Sequence, residues 1–114
     1  MGEEQSISVE VTLSDATKRA MELRVRYQEL EREYHKEIWP TEEDMLAFTT
    51  DIGALGRLVM AAEGRWTYEG DVAGELKSKM AECLWWILVL SDRLDVDIST
   101  AYDTFINKRT ADLA

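Results

Sequence analysis

This chain of 114 residues is poor in cysteine, proline, histidine and basic side chains, and each shortage removes a class of function. A single cysteine, Cys83, excludes a disulfide scaffold and makes the reducing cytoplasm the expected setting. It lies in an apolar run, where a thiol packs as a small hydrophobe. The one histidine, His35, sits in the charged stretch from Glu31 to Glu37 with no cysteine or second histidine beside it, so a solvated histidine is expected and not a zinc ligand. Thirteen Lys and Arg against 23 Asp and Glu leave a net charge of -10. No basic stripe interrupts that surface, which would repel a phosphate backbone, so DNA and RNA polymers are not expected partners. A free nucleotide differs, because a metal ion can neutralise both its phosphates and the carboxylates that hold it. No uninterrupted apolar run is long enough for a bilayer, so no membrane is expected. Nothing resembles a secretory signal. The opening Met1-Gly2-Glu3-Glu4-Gln5-Ser6 formally fits a myristoylation pattern, but anionic lipid would repel its acidic flank and chance accounts for the match.

What is present is a folded, single-domain composition: 46% apolar, 32% charged and one proline. Residues 1–11 are polar and acidic, with Ile7, Val9 and Val11 alternating as in a short strand or a docked extended arm. Residues 12–114 read as one all-α domain. A first helix begins after Thr12 or Ser14 and runs to about Ile38, with the stripe Ala20, Leu23, Tyr27, Leu30, Tyr34 and Ile38. Trp39-Pro40 ends it. Thr41 is the expected cap of a second helix, whose first turn carries Glu42, Glu43 and Asp44 to suit the positive end of the dipole. Its expected core stripe is Met45, Phe48, Ile52, Leu55 and Val59. Gly53 and Gly56 lie inside it, and close approach of a neighbouring helix is the commoner reason for such glycines. After a glycine-bounded loop with Trp66 and Tyr68, a third helix spans about Asp71 to Leu94 on Leu76, Met80, Cys83, Ile87, Leu90 and Leu94. Asp97 caps a fourth, roughly 98–112, with Ile98, Ala101, Phe105 and Ile106 facing inward. Four amphipathic helices with short connections make a four-helix bundle.

Two carboxylates stand beside the apolar stripes, Asp51 on the second helix and Glu82 on the third. Helices packed face to face would bring them together as half of a divalent-cation site. Glu75, Lys79, Glu82 and Trp86 share one face, and the plain alternative is that Glu75 and Lys79 form an ordinary i,i+4 ion pair, with Lys79 also near Glu82, which needs no function. The aromatic residues Trp39, Trp66, Tyr68, Trp85 and Trp86 suit stacking on a base, or equally the filling of a core and a subunit interface.

The segment Asp51-Ile52-Gly53-Ala54-Leu55, read as acidic-x-Gly-x-Leu, and Glu82-Cys83-Leu84-Trp85-Trp86 together resemble the MazG-like all-α NTP pyrophosphohydrolases, as does the tail Leu94-Asp95-Val96-Asp97-Ile98. The likeness covers roughly residues 15–110. It implies a MazG-type bundle, a homodimer or homotetramer, and magnesium-dependent conversion of a nucleoside triphosphate to the monophosphate and pyrophosphate. In that family E-E-x-x-E and E-x-x-D motifs hold the metal, which polarises the phosphates and activates a water. Carried over by position, Asp51 takes the first motif's main glutamate place, after Thr50 in place of the other. Ala54 stands where its last acid belongs, Lys79 in the second motif's glutamate place and Glu82 in its aspartate place. The implied magnesium ligands are Asp51 and Glu82, with Glu75 auxiliary. Lys79, Trp86 and Arg109 are the implied nucleotide contacts, and no catalytic side chain is assigned. An ammonium near a cation opposes metal binding, by roughly several kcal/mol unless well solvated, yet it can itself contact a phosphate. Three readings therefore stand: a pyrophosphohydrolase, a MazG-like binding or assembly module without metal chemistry, or a purely helical interaction domain whose likeness to the family is coincidental.

Overall fold

Thr12 opens the first helix, its hydroxyl accepting the Asp15 N–H at 3.0 Å. In this computed structural model, which describes residues 10–35 and 39–114, α1 follows as Leu13–His35. The expected end of that helix at Ile38, and Ile7 and Val9 of the arm, lie outside the described residues. The second helix, α2, is Thr41–Ala62, and the residue at its cap is Pro40 and not Thr41. Proline is already extended there (φ -71°, ψ 167°), and its carbonyl accepts the N–H groups of Glu43 and Asp44 at 3.0 and 3.3 Å. Thr41 thus sits one residue too far in for its hydroxyl to cap the first turn. Asp71 caps α3, Val72–Arg93, by accepting the Gly74 N–H at 3.1 Å. Asp97 caps α4, Ile98–Asp112, through the Thr100 N–H at 3.1 Å. Among the described residues these four helices are all the regular structure, an all-α arrangement without strands.

The third helix is the centre, packed on α2 along one side and α1 along another, while α4 leans on α1. Ala20, Leu88 and Val89 form the core cluster, with Ala16, Met21, Trp85 and Ile98 around it. Because α3 is covered on two sides, its buried positions are Cys83, Trp86, Leu88, Val89 and Ser91. They broaden the expected single stripe, and Met80, Ile87 and Leu94 remain exposed. The expected α2 stripe is displaced more. Met45, Ile52 and Val59 face outward, while Leu58 and Asp44 are buried. On α4 no residue is buried, and Phe105 is 51% exposed. Most of the α1 stripe, from Leu23 to Tyr34, is also nearly half exposed or more. Periodicity identifies an apolar face; it does not say whether the same chain covers it. Nor is close packing the reason for Gly53 and Gly56, since no atom beyond their own helix backbone and chain neighbours lies within 4 Å of where their Cβ atoms would be.

A buried ion cluster ties three helices together. Asp44 is 0% exposed and accepts from Arg24 Nη2 at 3.1 Å and from Arg93 Nη1 at 2.5 Å. Arg24, 1% exposed, also donates to Glu31 at 2.8 and 3.4 Å. Arg93 donates further to the Trp39 carbonyl at 3.0 Å, so α1, α2, α3 and the connecting segment meet at one charge-balanced point. By length and composition alone α2 would also be able to cross a membrane, although the charges of Asp51 and Arg57 interrupt its apolar residues. Its Asp51 and Arg57 are engaged within the protein, by Lys79 and Trp86 and by the Trp66 ring respectively.

Candidate functional site

Antiparallel packing of α2 on α3 brings Asp51 and Glu82 to a common point, and that point is the Lys79 ammonium. Lys79 Nζ donates to Asp51 Oδ1 at 3.0 Å and to Glu82 Oε1 at 2.8 Å. The second oxygen of Asp51 accepts the Trp86 indole N–H at 2.7 Å. Burial alone would raise the Asp51 pKa, but hydrogen bonds from Trp86 and Lys79 outweigh it and hold the carboxyl below its ordinary value. The hydrogen bonds to Glu82 and then Asp51 push the Lys79 ammonium well above its ordinary value. It therefore stays charged throughout the physiological range.

Glu75 stands one turn before Lys79 and accepts the Tyr68 hydroxyl hydrogen bond. Gly70, at φ +129°, makes room for it: a Cβ there would lie 2.8 Å from Glu75 Oε2. Glu75, Lys79 and Glu82 line a cleft of about 350 Å³ with Arg57 and Tyr68. Ala54 lines it too and contributes no ligand oxygen. Arg57 lies over the Trp66 ring at 4.9 Å from its centre.

A second, larger cleft of about 720 Å³ opens between α1 and α3, on the other side of Ser78 and Glu82. Tyr27, Trp39, Trp85 and Trp86 give it aromatic walls, and Arg24 and Glu31 supply charge. Trp85 is fixed by an indole hydrogen bond to the Ala20 carbonyl at 3.2 Å and by an edge contact with Tyr27. Arg24 Nε is buried without a hydrogen-bond partner, a donor unmatched in the otherwise paired cluster. Arg24 and Glu31 escape sequence reasoning because they read as members of a solvated α1 face. The signal was faint: a pair seven residues apart, two turns along one helix.

Of the residues singled out from sequence, the fold joins Asp51, Glu82, Lys79 and Trp86 directly and places Glu75 in the same cleft. Arg109 is not with them; it lies on α4, its guanidinium 4.9 Å from the centre of its own helix's Phe105 ring. The donor set does not fit magnesium as it stands. Magnesium needs an octahedron of oxygens at roughly 2.0–2.1 Å, whereas both principal carboxylates are hydrogen-bonded to one ammonium and Glu75 to a phenol. Among the described residues no three His, Cys, Asp or Glu side chains are grouped to hold a metal ion. No family model, curated protein or solved structure matches this chain.

Proposed function

We propose that this chain is a MazG-like helical module that self-associates and binds a nucleotide-sized ligand without hydrolysing it. The observation that carries this reading is the Lys79 ammonium bridging Asp51 and Glu82, the two acids that remain of the motif. The MazG-type fold is supported by the way α2 and α3 pack so that their motif residues converge. The aromatic cleft beside this cluster has a volume within the roughly 300–1,000 Å³ of small-molecule sites. Its tryptophans suit stacking on a planar ring. A net charge of -10 disfavours nucleic-acid polymers, and a reduced Cys83 suits a cytoplasmic setting.

Self-association is supported by exposed apolar area. Among the described residues Leu46, Met80, Leu84, Leu94, Tyr102 and Phe105 are each at least half exposed, more apolar surface than a small monomer commonly leaves in water. One face of α2 carries Met45, Ile52, Gly53, Gly56, Val59 and Met60, without a charge and with open space over both glycines. A second copy of this chain, related by a two-fold axis, is the occupant we assign to it. Sedimentation should give a homodimer or homotetramer. A monomer that floats with liposomes would instead make α2 a lipid-facing helix.

A second reading, the magnesium-dependent pyrophosphohydrolase, is favoured by the same convergence of Asp51 and Glu82 with Glu75 in the cleft. Calorimetry with nucleoside triphosphates, with and without magnesium, separates the two readings when paired with a pyrophosphate-release assay. Binding without release supports the module. Magnesium-dependent release that Glu82→Gln abolishes would replace it by the enzyme.

A further inference from the structure

We infer that the Lys79 ammonium is a resident counter-ion that takes the place of a divalent cation between Asp51 and Glu82, making the α2–α3 cleft independent of metal. Three features carry this. Lys79 spans the two helices: its hydrogen-bond partners are Asp51 on α2 and Glu82 one turn along α3. It is no stray surface lysine, since its side chain is three-quarters buried. Both Asp51 oxygens are taken, one by the ammonium and the other by the Trp86 indole, so no lone oxygen waits for an ion. A cation entering here would have to displace a fixed positive charge of the protein and break two charge-assisted hydrogen bonds.

The ammonium does for these carboxylates what a metal does elsewhere. It cancels their mutual repulsion and joins the two helices, and it needs no supply of ions. The geometry is that of the three side chains, while the expectation that a cation would otherwise stand there rests on the MazG-like reading. A failure of nucleotide binding would leave it standing, and a failure here would leave nucleotide binding open.

Exchange at position 79 tests it. The full chain, stripped with chelator, is followed by thermal unfolding and by the electron-paramagnetic signal of free manganese. The wild type should unfold at the same temperature with or without millimolar magnesium or manganese, and should bind no manganese. Lys79→Glu should bind one manganese ion per chain and gain several degrees of melting temperature with it. Asp51→Asn added to that variant should abolish both effects. If Lys79→Glu does not fold, Lys79→Met removes the charge without adding an acid and should bind manganese, more weakly than a full acid set would, where the wild type binds none. Stoichiometric manganese binding by the wild type that Asp51→Asn removes would overturn the inference. So would a folded Lys79→Glu or Lys79→Met that takes up no ion.

Discussion

Replacing Asp44 by alanine should cost this protein about 3 kcal/mol of stability, the low end of the ~3–5 kcal/mol for breaking a buried ion pair. The structure gives the reasons for the low end. Asp44 is 0% exposed and holds two guanidinium groups, but the two are not stranded equally when it goes. Arg93 retains the Trp39 carbonyl and has an 18% exposed side chain through which water can reach it. Arg24 is the charge left in the interior, with Glu31 as its remaining partner. Its Nε is unpaired already, so the loss of Asp44 leaves a buried cation short of acceptors at two places. Asp44→Asn keeps one acceptor oxygen and should cost roughly 2 kcal/mol, between the neutral and charged hydrogen-bond ranges. Urea denaturation followed by circular dichroism reads both. A double-mutant cycle with Arg24→Leu should return a coupling above ~1 kcal/mol. An Asp44→Ala loss below ~1 kcal/mol would refute the reasoning, because a surface pair of no consequence would give that value.

Asp51→Asn should flatten the acid limb of the stability curve. The wild-type carboxyl is held below its ordinary value of 3.8, so its contribution is full above that pH and fades as pH falls through the lower folded value. The urea midpoint at a series of pH values below about 4 measures the change in slope. Gly53→Ala should raise monomer stability by ~0.5–1 kcal/mol, since its Cβ would meet no atom within 4 Å. Gly56→Arg, on the same open face, should instead shift sedimentation towards the monomer while leaving helicity unchanged. Cys83 should resist alkylation at neutral pH, because burial raises its thiol pKa. Mass spectrometry after iodoacetamide should find it labelled only when denaturant is present.

The helix plan is legible in the sequence because its signals are local. Asp97 caps where its side-chain oxygen precedes an amphipathic run, as expected, and Asp71, read as the first residue of the third helix, is its cap. The cap of α2 departs from the pattern because proline supplies both the extended backbone and the accepting carbonyl, which leaves Thr41 nothing to do. The spacing on two amphipathic helices points to Asp51 beside Glu82; that the Lys79 ammonium stands between them and the Trp86 indole on Asp51 has no local signal. The cluster of Arg24, Asp44 and Arg93 has none either, because a charged residue on a charged face carries no local mark of burial. Its members are 20 and 49 residues apart, and only tertiary packing selects them. The outward turn of Ile52 and Val59 has a related cause: amphipathicity is a property of one helix, and coverage is a property of its neighbours.

The two charge clusters together set the register of α2 on α3. Asp44 meets Arg93 near the start of one helix and the end of the other. Two turns further along α2, Asp51 meets Trp86, two turns back along α3. A slip of one turn would break both contacts at once and leave Asp44 unpaired in the interior. Lys79 then closes the same seam one to two turns beyond, joining Asp51 to Glu82. Every one of these contacts is made by the chain's own side chains. These side chains set the pairing of the two helices, and the architecture would persist whether or not the cleft performs chemistry. This separation also fixes where change is tolerated: substitution at Asp44 tests the fold, while substitution at Lys79 tests what the cleft can bind.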